Sequence, residues 1–337
     1  MLSIWLQFAA CMLLILAAGV RLTRYGDIIA EKTGMGRTWI GVVLMASVTS
    51  LPELITGASA VTAADLPDIA VGDVLGACMI NLTFIAVLDL LYRPGAVLSR
   101  AEQGHILAAG FGVVMLGIAA VGLLMSGMGV PLRLSWVGLY TPLLLVFYVI
   151  GMRVIFRFER RKIREELKAV REYEEFSSAR AYRGFALNAT AIIAAAAWLP
   201  FVGEDLAEAT GWGQTFVGTL LIAMATTLPE VVTSLAALRM GAIDLAIGGL
   251  LGSNLFNLAI LAVNDLLYTP GPILAHVSRT HFLPALSAII MSGIAILALF
   301  YQPETKRGLR LSWVAAAIFA IYFLNAYGVY ILERGGR

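Results

Sequence analysis

Apolar stretches recur along the whole chain, each bounded by a short polar or charged connection. A membrane-crossing helix needs about 20 predominantly apolar residues. Ten stretches meet that requirement: 4–23, 38–62, 69–91, 104–127 and 134–156, then 184–202, 215–238, 245–267, 282–301 and 311–332. The pattern predicts an all-α polytopic membrane protein of ten transmembrane helices. The first stretch has no basic leader and no small-residue cleavage site, so it reads as a retained span. Between the fifth and sixth stretches, residues 157–183 carry nine basic and six acidic side chains. Pairs such as Arg161/Glu165 and Lys168/Glu172 stand four apart, as on a solvated helix at the membrane surface. The chain thus divides into a first membrane half (1–156), a charged connection (157–183) and a second membrane half (184–337).

The two halves repeat one another. Residues 26–53, "GDIIAEKTGMGRTWIGVVLMASVTSLPE", align at a constant offset of 177 with residues 203–230, "GEDLAEATGWGQTFVGTLLIAMATTLPE", and 14 of the 28 positions are identical. After a one-residue gap, residues 68–95, "DIAVGDVLGACMINLTFIAVLDLLYRPG", match residues 244–271, "DLAIGGLLGSNLFNLAILAVNDLLYTPG". Each half holds an odd number of spans, so the second enters the membrane from the opposite face and the repeats are inverted. Inverted repeats characterise secondary transporters, whose sites lie near the midplane where the halves meet.

Composition narrows the class. Hydrophobic residues make up 60% and charged residues 14% of the 337, where a soluble domain averages about a quarter charged. A net charge of +2 indicates no polyanion, so no nucleic-acid partner is expected. Cys11 and Cys78 are too few for a disulfide framework. His105, His276 and His281 fall near predicted span ends and read as ordinary interfacial residues rather than metal ligands. With the amino terminus outside, only Arg133, Arg279, Arg334 and Arg337 of the 24 Lys and Arg fall outside. The positive-inside rule therefore places both termini outside and the 157–183 connection in the cytoplasm.

Two spans each carry a proline followed by a carboxylate deep within them: Pro52–Glu53 and Pro229–Glu230. A carboxylate near the bilayer centre costs about 2.5–3.5 kcal/mol on insertion scales, so such residues face the bundle interior and meet a cation or proton. Each proline lacks an amide hydrogen and deprives the carbonyl four residues back of its helical partner. The turns around Thr49 and around Ala225–Thr226 are expected to open and to offer oxygen ligands. The following span of each half adds Asn81 four residues after Ala77, and Asn257 four after Ser253, on one helix face. Gly72, Gly76, Gly248 and Gly252 allow close helix approach. The expected constellation is Glu53 and Glu230, the amides of Asn81 and Asn257, hydroxyls of Ser50, Thr227 and Ser253, and released carbonyls. All are hard oxygen donors, which suit Ca²⁺, Na⁺ or Mn²⁺ and not Zn²⁺ or Cu⁺. Two ionised glutamates are neutralised by one Ca²⁺ or by several monovalent ions. A shared site that cannot cross while empty yields exchange.

At these residues the chain resembles the cation/Ca²⁺ antiporter superfamily, specifically its Na⁺/Ca²⁺ exchanger branch. The pattern there is a Gly-Thr-Ser-x-Pro-Glu type segment followed by Gly-Ser-Asn-x-x-Asn/Asp in each repeat. Here the segments read "VTSLPE" and "ATTLPE", then "GACMIN" and "GSNLFN". The resemblance implies a Ca²⁺ shared by Glu53, Glu230 and the carbonyls of Thr49 and Thr226. It also implies flanking Na⁺ sites that involve Ser50, Ala223 and Ser253, with Asn81 and Asn257 between them. It implies further that the first and sixth spans slide across the rest to switch access, that the transported ions are Ca²⁺ and Na⁺, and that no cofactor is involved. Ala77 and Cys78 depart from the pattern and remove one hydroxyl of an Na⁺ site, which leaves Na⁺ or H⁺ coupling open. Val48 and Ala225 replace the glycine before each Thr-Ser or Thr-Thr pair, and the 157–183 connection is too short for a Ca²⁺-sensing domain.

Other acids play lesser parts. Asp89 and Asp265 are repeat-matched near helix ends on opposite faces, and a capping or gating role suits them better than ion binding. Asp73 has no counterpart, since repeat two carries Gly249; it reads as a charge at a mouth of the pathway or at the interface. The competing functions are Ca²⁺/H⁺ or Mn²⁺/cation antiport, a passive cation channel, and an intramembrane enzyme. "AVGD" at 70–73 resembles an aspartyl protease loop only superficially, and no histidine lies in mid-span to serve a serine protease. The expected address is the plasma (inner) membrane, with lipid as surroundings and no oligomer required.

Overall fold

The computed structural model describes residues 1–32, 48–92, 95–102, 104–130, 132–166, 177–301 and 312–335. The first half contains α1 (Leu2–Lys32), α2 (Leu51–Ser59, continued by a π-helical turn over Ala60–Ala64), α3 (Pro67–Leu91), α4 (His105–Gly127) and α5 (Tyr140–Glu166). The second contains α6 (Ser178–Thr210), α7 (Gln214–Arg239), α8 (Ile243–Leu267), α9 (Phe282–Tyr301) and α10 (Trp313–Gly335). Among the described residues, nine of these helices are long and apolar enough to cross a membrane. The tenth is α2, and positions 38–47 of its expected span lie outside the described residues. A two-stranded turn, Arg133–Leu134 against Val137–Gly138, joins α4 to α5.

Three helices run well past their apolar stretches, among them α5, to Glu166 rather than 156. α1 runs to Lys32 rather than 23, and α6 spans Ser178–Thr210 rather than 184–202. At 1.5 Å per residue α6 is about 50 Å long, beyond the ~30 Å hydrocarbon layer. The apolar count marks only the lipid-buried part of a helix, and its polar ends continue outward. In the charged connection, 157–166 extends α5 and 178–183 opens α6, while 167–176 lies outside the described residues. So do the side chains of the Arg161/Glu165 and Lys168/Glu172 pairs.

Burial sorts the helices. α3 and α8 form the centre, buried on every side, with 72% of the residues in each apolar stretch buried. α1, α5 and α10 are only 28% buried and turn most of their surface to lipid. α1 lies along α6, and both cover the α2/α7 pair. Gly19 makes α1's contact possible, since a Cβ there would sit 2.6 Å from Pro229 Cγ.

The inverted repeat reappears in side-chain contacts. Asp68 at the start of α3 accepts from Ser278 N at 2.7 Å and faces His281 Nε2 at 2.9 Å. Asp244 at the start of α8 accepts from Glu102 N at 2.7 Å and faces His105 Nε2 at 3.0 Å. The sequence-matched partners thus form two crossed clasps, one at each face, and each ties one repeat to the other. His105 and His281 stand at helix starts as expected, but each is engaged by an aspartate of the opposite repeat. His276 Nδ1 lies 3.0 Å from Pro272 O.

Asp89 and Asp265 also act alike. Each accepts a backbone N–H eight residues on, from Val97 and Ile273, at 2.7 Å. Asp265 further accepts from Gly138 N at 2.8 Å and from the hydroxyls of Tyr140 and Thr141 at 2.5 Å each. Both pin the loop that leaves their own helix, which is the capping role their position suggested.

Candidate ion-binding site

The proline–glutamate segments of α2 and α7 cross at the centre of the bundle. In repeat one the helix is interrupted at Ser50, whose ψ of 15° is not helical, and α2 proper begins at Leu51 with Pro52 in its first turn. That position suits a proline, because its missing N–H would have had no helical acceptor there. Repeat two differs from expectation. The chain stays helical through Pro229, and the irregularity lies earlier, as a π-helical stretch over Val217–Ile222. The wider i→i+5 turn takes up an extra residue and re-aims the side chains beyond it. Pro229 still cannot donate to the carbonyl of Ala225.

Glu53 and Glu230 are 0% and 3% exposed. Ser50 Oγ donates to Glu230 Oε1 at 2.8 Å, and Thr227 Oγ1 donates to Glu53 Oε1 at 3.2 Å. Ser50 and Thr227 are repeat mates, as are the two glutamates. Each motif therefore supplies a hydroxyl to the other motif's carboxylate, and the two halves share a single polar centre. Thr49 and Ser253 stand beside the Glu230 carboxylate. The second oxygens, Glu53 Oε2 and Glu230 Oε2, are buried without a hydrogen-bond partner. An unsatisfied buried carboxylate oxygen costs free energy that a cation at the same spot recovers.

α3 and α8 contribute their amides unequally. Asn81 Nδ2 donates to Asn254 Oδ1 at 3.0 Å, and Asn254 Nδ2 donates to the carbonyl of Cys78 at 3.2 Å. Symmetry would pair Asn257 with position 78, but Cys78 offers no amide there. Both amide atoms of Asn257 are consequently buried without a hydrogen-bond partner. Asn254 is a site residue absent from the sequence-based constellation, although its status as the repeat mate of Cys78 was the available signal. Ala77 is fully buried and brings no hydroxyl where Ser253 does.

Asp73 is a correction. It stands neither at a mouth nor at an interface: it is 0% exposed, and Thr226 Oγ1 donates to its Oδ1 at 2.8 Å. The Thr226 hydroxyl also lies 3.2 Å from the carbonyls of Ile222 and Ala223. The close approach of α3 to α7 puts Asp73 there. A Cβ on Gly76 would come within 2.1 Å of Thr219 O, and one on Gly72 within 3.0 Å of Thr219 N. Early in the span by count, Asp73 is nonetheless enclosed, because α3 is buried from its first turn.

Of the residues expected to act together, Glu53, Glu230, Thr49, Ser50, Thr227 and Ser253 meet directly. Thr226 and Ala223 join through the turn beside Asp73, and Asn81 and Asn257 lie on the flanking helices. Carboxylate, hydroxyl, amide and carbonyl oxygens with no thiolate or imidazole among them form a hard donor set, suited to alkali and alkaline-earth cations.

A family model described as "Sodium/calcium exchanger protein" matches residues 3–156 and 181–332. The Escherichia coli K12 inner membrane protein YrbG is 29% identical over 307 residues, covering 88% of this chain and 89% of that protein. A crystal structure of an H⁺/Ca²⁺ exchanger, CAX, superposes with a TM-score of 0.69 at 13% identity, covering 98% of this chain and 87% of that one. The sodium-calcium exchanger NCX_Mj superposes at 0.61 with 20% identity, covering 96% and 98%. Inverted repeats of membrane-spanning helices are common to these two exchanger structures and this chain.

Proposed function

The chain belongs to the sodium/calcium exchanger family, and from that premise we propose that it exchanges Ca²⁺ for Na⁺ at one site built on Glu53 and Glu230. As a member of that family it is an antiporter of the cation/Ca²⁺ exchanger superfamily. The observation that supports this exchange is the crossed pair Ser50–Glu230 and Thr227–Glu53, which makes one polar centre out of both repeats. A divalent ion there bridges the halves and satisfies the free oxygens Oε2 of both glutamates. Several monovalent ions neutralise the same charges and exclude it. With neither load, two like charges face each other in a buried centre, and that state is too costly to carry past the apolar flanks. Thr49, Thr226, Ala223, Ser253, Asn81 and Asn257 complete the coordination.

Access changes when α1 and α6, which cover the α2/α7 centre, move along it as a pair. The membrane is the plasma (inner) membrane, with both termini outside and the 157–183 connection in the cytoplasm between the two membrane halves.

Ala77 favours a second reading, H⁺/Ca²⁺ exchange, because it removes a hydroxyl that an Na⁺ ion would use. Uptake of ⁴⁵Ca²⁺ into proteoliposomes decides between them. Uptake into Na⁺-loaded vesicles at equal pH supports Na⁺ coupling. Uptake only into acid-loaded vesicles transfers the chain to the proton-coupled reading, and absence of uptake under both gradients refutes calcium exchange.

A further inference from the structure

Asp73 is a fully buried carboxylate that the crossed glutamate pair does not account for. It belongs to repeat one alone, since the matching position in repeat two is Gly249. Asp89 and Asp265 each pin the loop that leaves their own helix, a role not open to Asp73 within α3. Asp73 is different: Oδ1 accepts from Thr226, while Oδ2 is buried with no hydrogen-bond partner. Thr226, its donor, is followed by Thr227, which donates to Glu53, so Asp73 adjoins the crossed pair through neighbouring residues of α7. Glu53 Oε2 and Glu230 Oε2 are likewise buried without a hydrogen-bond partner.

We infer that Asp73 is a third charge-balancing carboxylate, which together with Thr226 extends the central site along α7 and adds one negative charge to the load it must carry. This rests on the antiport reading above and deepens it. Three ionised carboxylates are not neutralised by one divalent ion. A neutral load is then one divalent plus one monovalent cation, or three monovalent cations. A two-glutamate site would require no monovalent companion. The repeat's asymmetry thereby has a chemical consequence. The half that loses the Ala77 hydroxyl carries, one helical turn earlier on the same face, a carboxylate that the other half lacks.

The test is equilibrium binding of ⁴⁵Ca²⁺ to the purified full-length protein, compared among the unsubstituted chain, Asp73→Asn, Asp73→Glu and Glu53→Gln. Asn keeps an acceptor for Thr226 and nearly the same volume, so a merely structural Asp73 tolerates it. A unit charge roughly 6 Å from a divalent ion changes its affinity about tenfold even at the dielectric of water. Asp73→Asn is therefore expected to weaken Ca²⁺ binding at least tenfold, and Asp73→Glu to remain within about threefold of the parent. Where Na⁺ displaces Ca²⁺, Asp73→Asn is expected to reduce the number of Na⁺ ions displacing each Ca²⁺ by about one. Should Asp73→Asn fail to elute as a monodisperse protein, Asp73→Gly, the residue of repeat two, carries the same expectation. Unchanged Ca²⁺ affinity in Asp73→Asn, with binding still lost in Glu53→Gln, overturns this inference and leaves the antiport reading standing. Absence of Ca²⁺ binding in the unsubstituted chain overturns both.

Discussion

Replacing Gly76 with alanine tests the geometry on which the site depends. The added methyl would lie 2.1 Å from Thr219 O, 2.7 Å from Ala223 Cβ and 2.8 Å from Thr219 C. Real Cβ atoms essentially never approach closer than 3.0 Å, so the two backbones must part by about 1 Å. No rotamer change relieves the contact, because its nearest partner is a main-chain oxygen in the π-helical stretch of α7. Overpacking of this kind costs about 1–3 kcal/mol. The displacement also falls between Asp73 on α3 and Thr226 on α7, which hold each other at 2.8 Å. Gly26→Ala is the control, since its nearest neighbour would be Phe185 Cε2 at 3.7 Å, an ordinary van der Waals contact. The assay pairs thermal stability in detergent with ⁴⁵Ca²⁺ uptake by reconstituted protein. Gly76→Ala is expected to lower the unfolding midpoint by several degrees and to reduce uptake at least tenfold, with Gly26→Ala unchanged in both. A Gly76→Ala protein with parental stability and uptake would refute the claimed backbone contact.

Three further outcomes rest on other contacts. Ser50→Ala removes a charge-assisted hydrogen bond to Glu230, and such bonds contribute about 1.5–3 kcal/mol. Half-maximal uptake should then need about tenfold to a hundredfold more Ca²⁺, and Thr227→Ala, which loses the longer 3.2 Å bond, should show a smaller effect of the same sign. Asp265→Asn leaves one acceptor oxygen and an amide facing four former donors, so thermal unfolding should register a loss of about 3 kcal/mol. Asp68→Ala should destabilise more than Asp244→Ala. The first clasp is 0% exposed at His281 and 23% at Asp68, the second 48% exposed at Asp244, where solvent screens the pair to under about 1 kcal/mol.

Much of this is legible in the sequence, for identifiable reasons. A constant offset between the halves fixes which residues are mates, and the crossed contacts Ser50–Glu230 and Thr227–Glu53 obey that pairing. A carboxylate after a proline deep in an apolar run has few places to go except the bundle interior. The place of Asp73 is not legible, because α3 is buried on every side and offers no stripe to say which neighbour each face meets. Counting from the helix start gives depth along the span but no direction across it. The π-helical stretch over Val217–Ile222 is equally hidden, since repeat two carries the same Pro-Glu signature as repeat one. The shared Leu-Pro-Glu motif does not tell the break at Ser50 from the continuous helix at Pro229. Asn254 is inconspicuous because its repeat mate, Cys78, carries no amide to point to it, and the contacts with Asn81 and the Cys78 carbonyl appear only in the fold.

The central claim is that Glu53 and Glu230 form one indivisible site rather than two independent ones. The most direct measurement is ⁴⁵Ca²⁺ uptake by reconstituted Glu53→Gln and Glu230→Gln proteins under whichever gradient drives the parent chain. Either substitution alone is expected to reduce uptake to the level of protein-free vesicles, and the double substitution to add nothing further. Uptake persisting at half or more of the parental rate in either single variant would contradict a shared site.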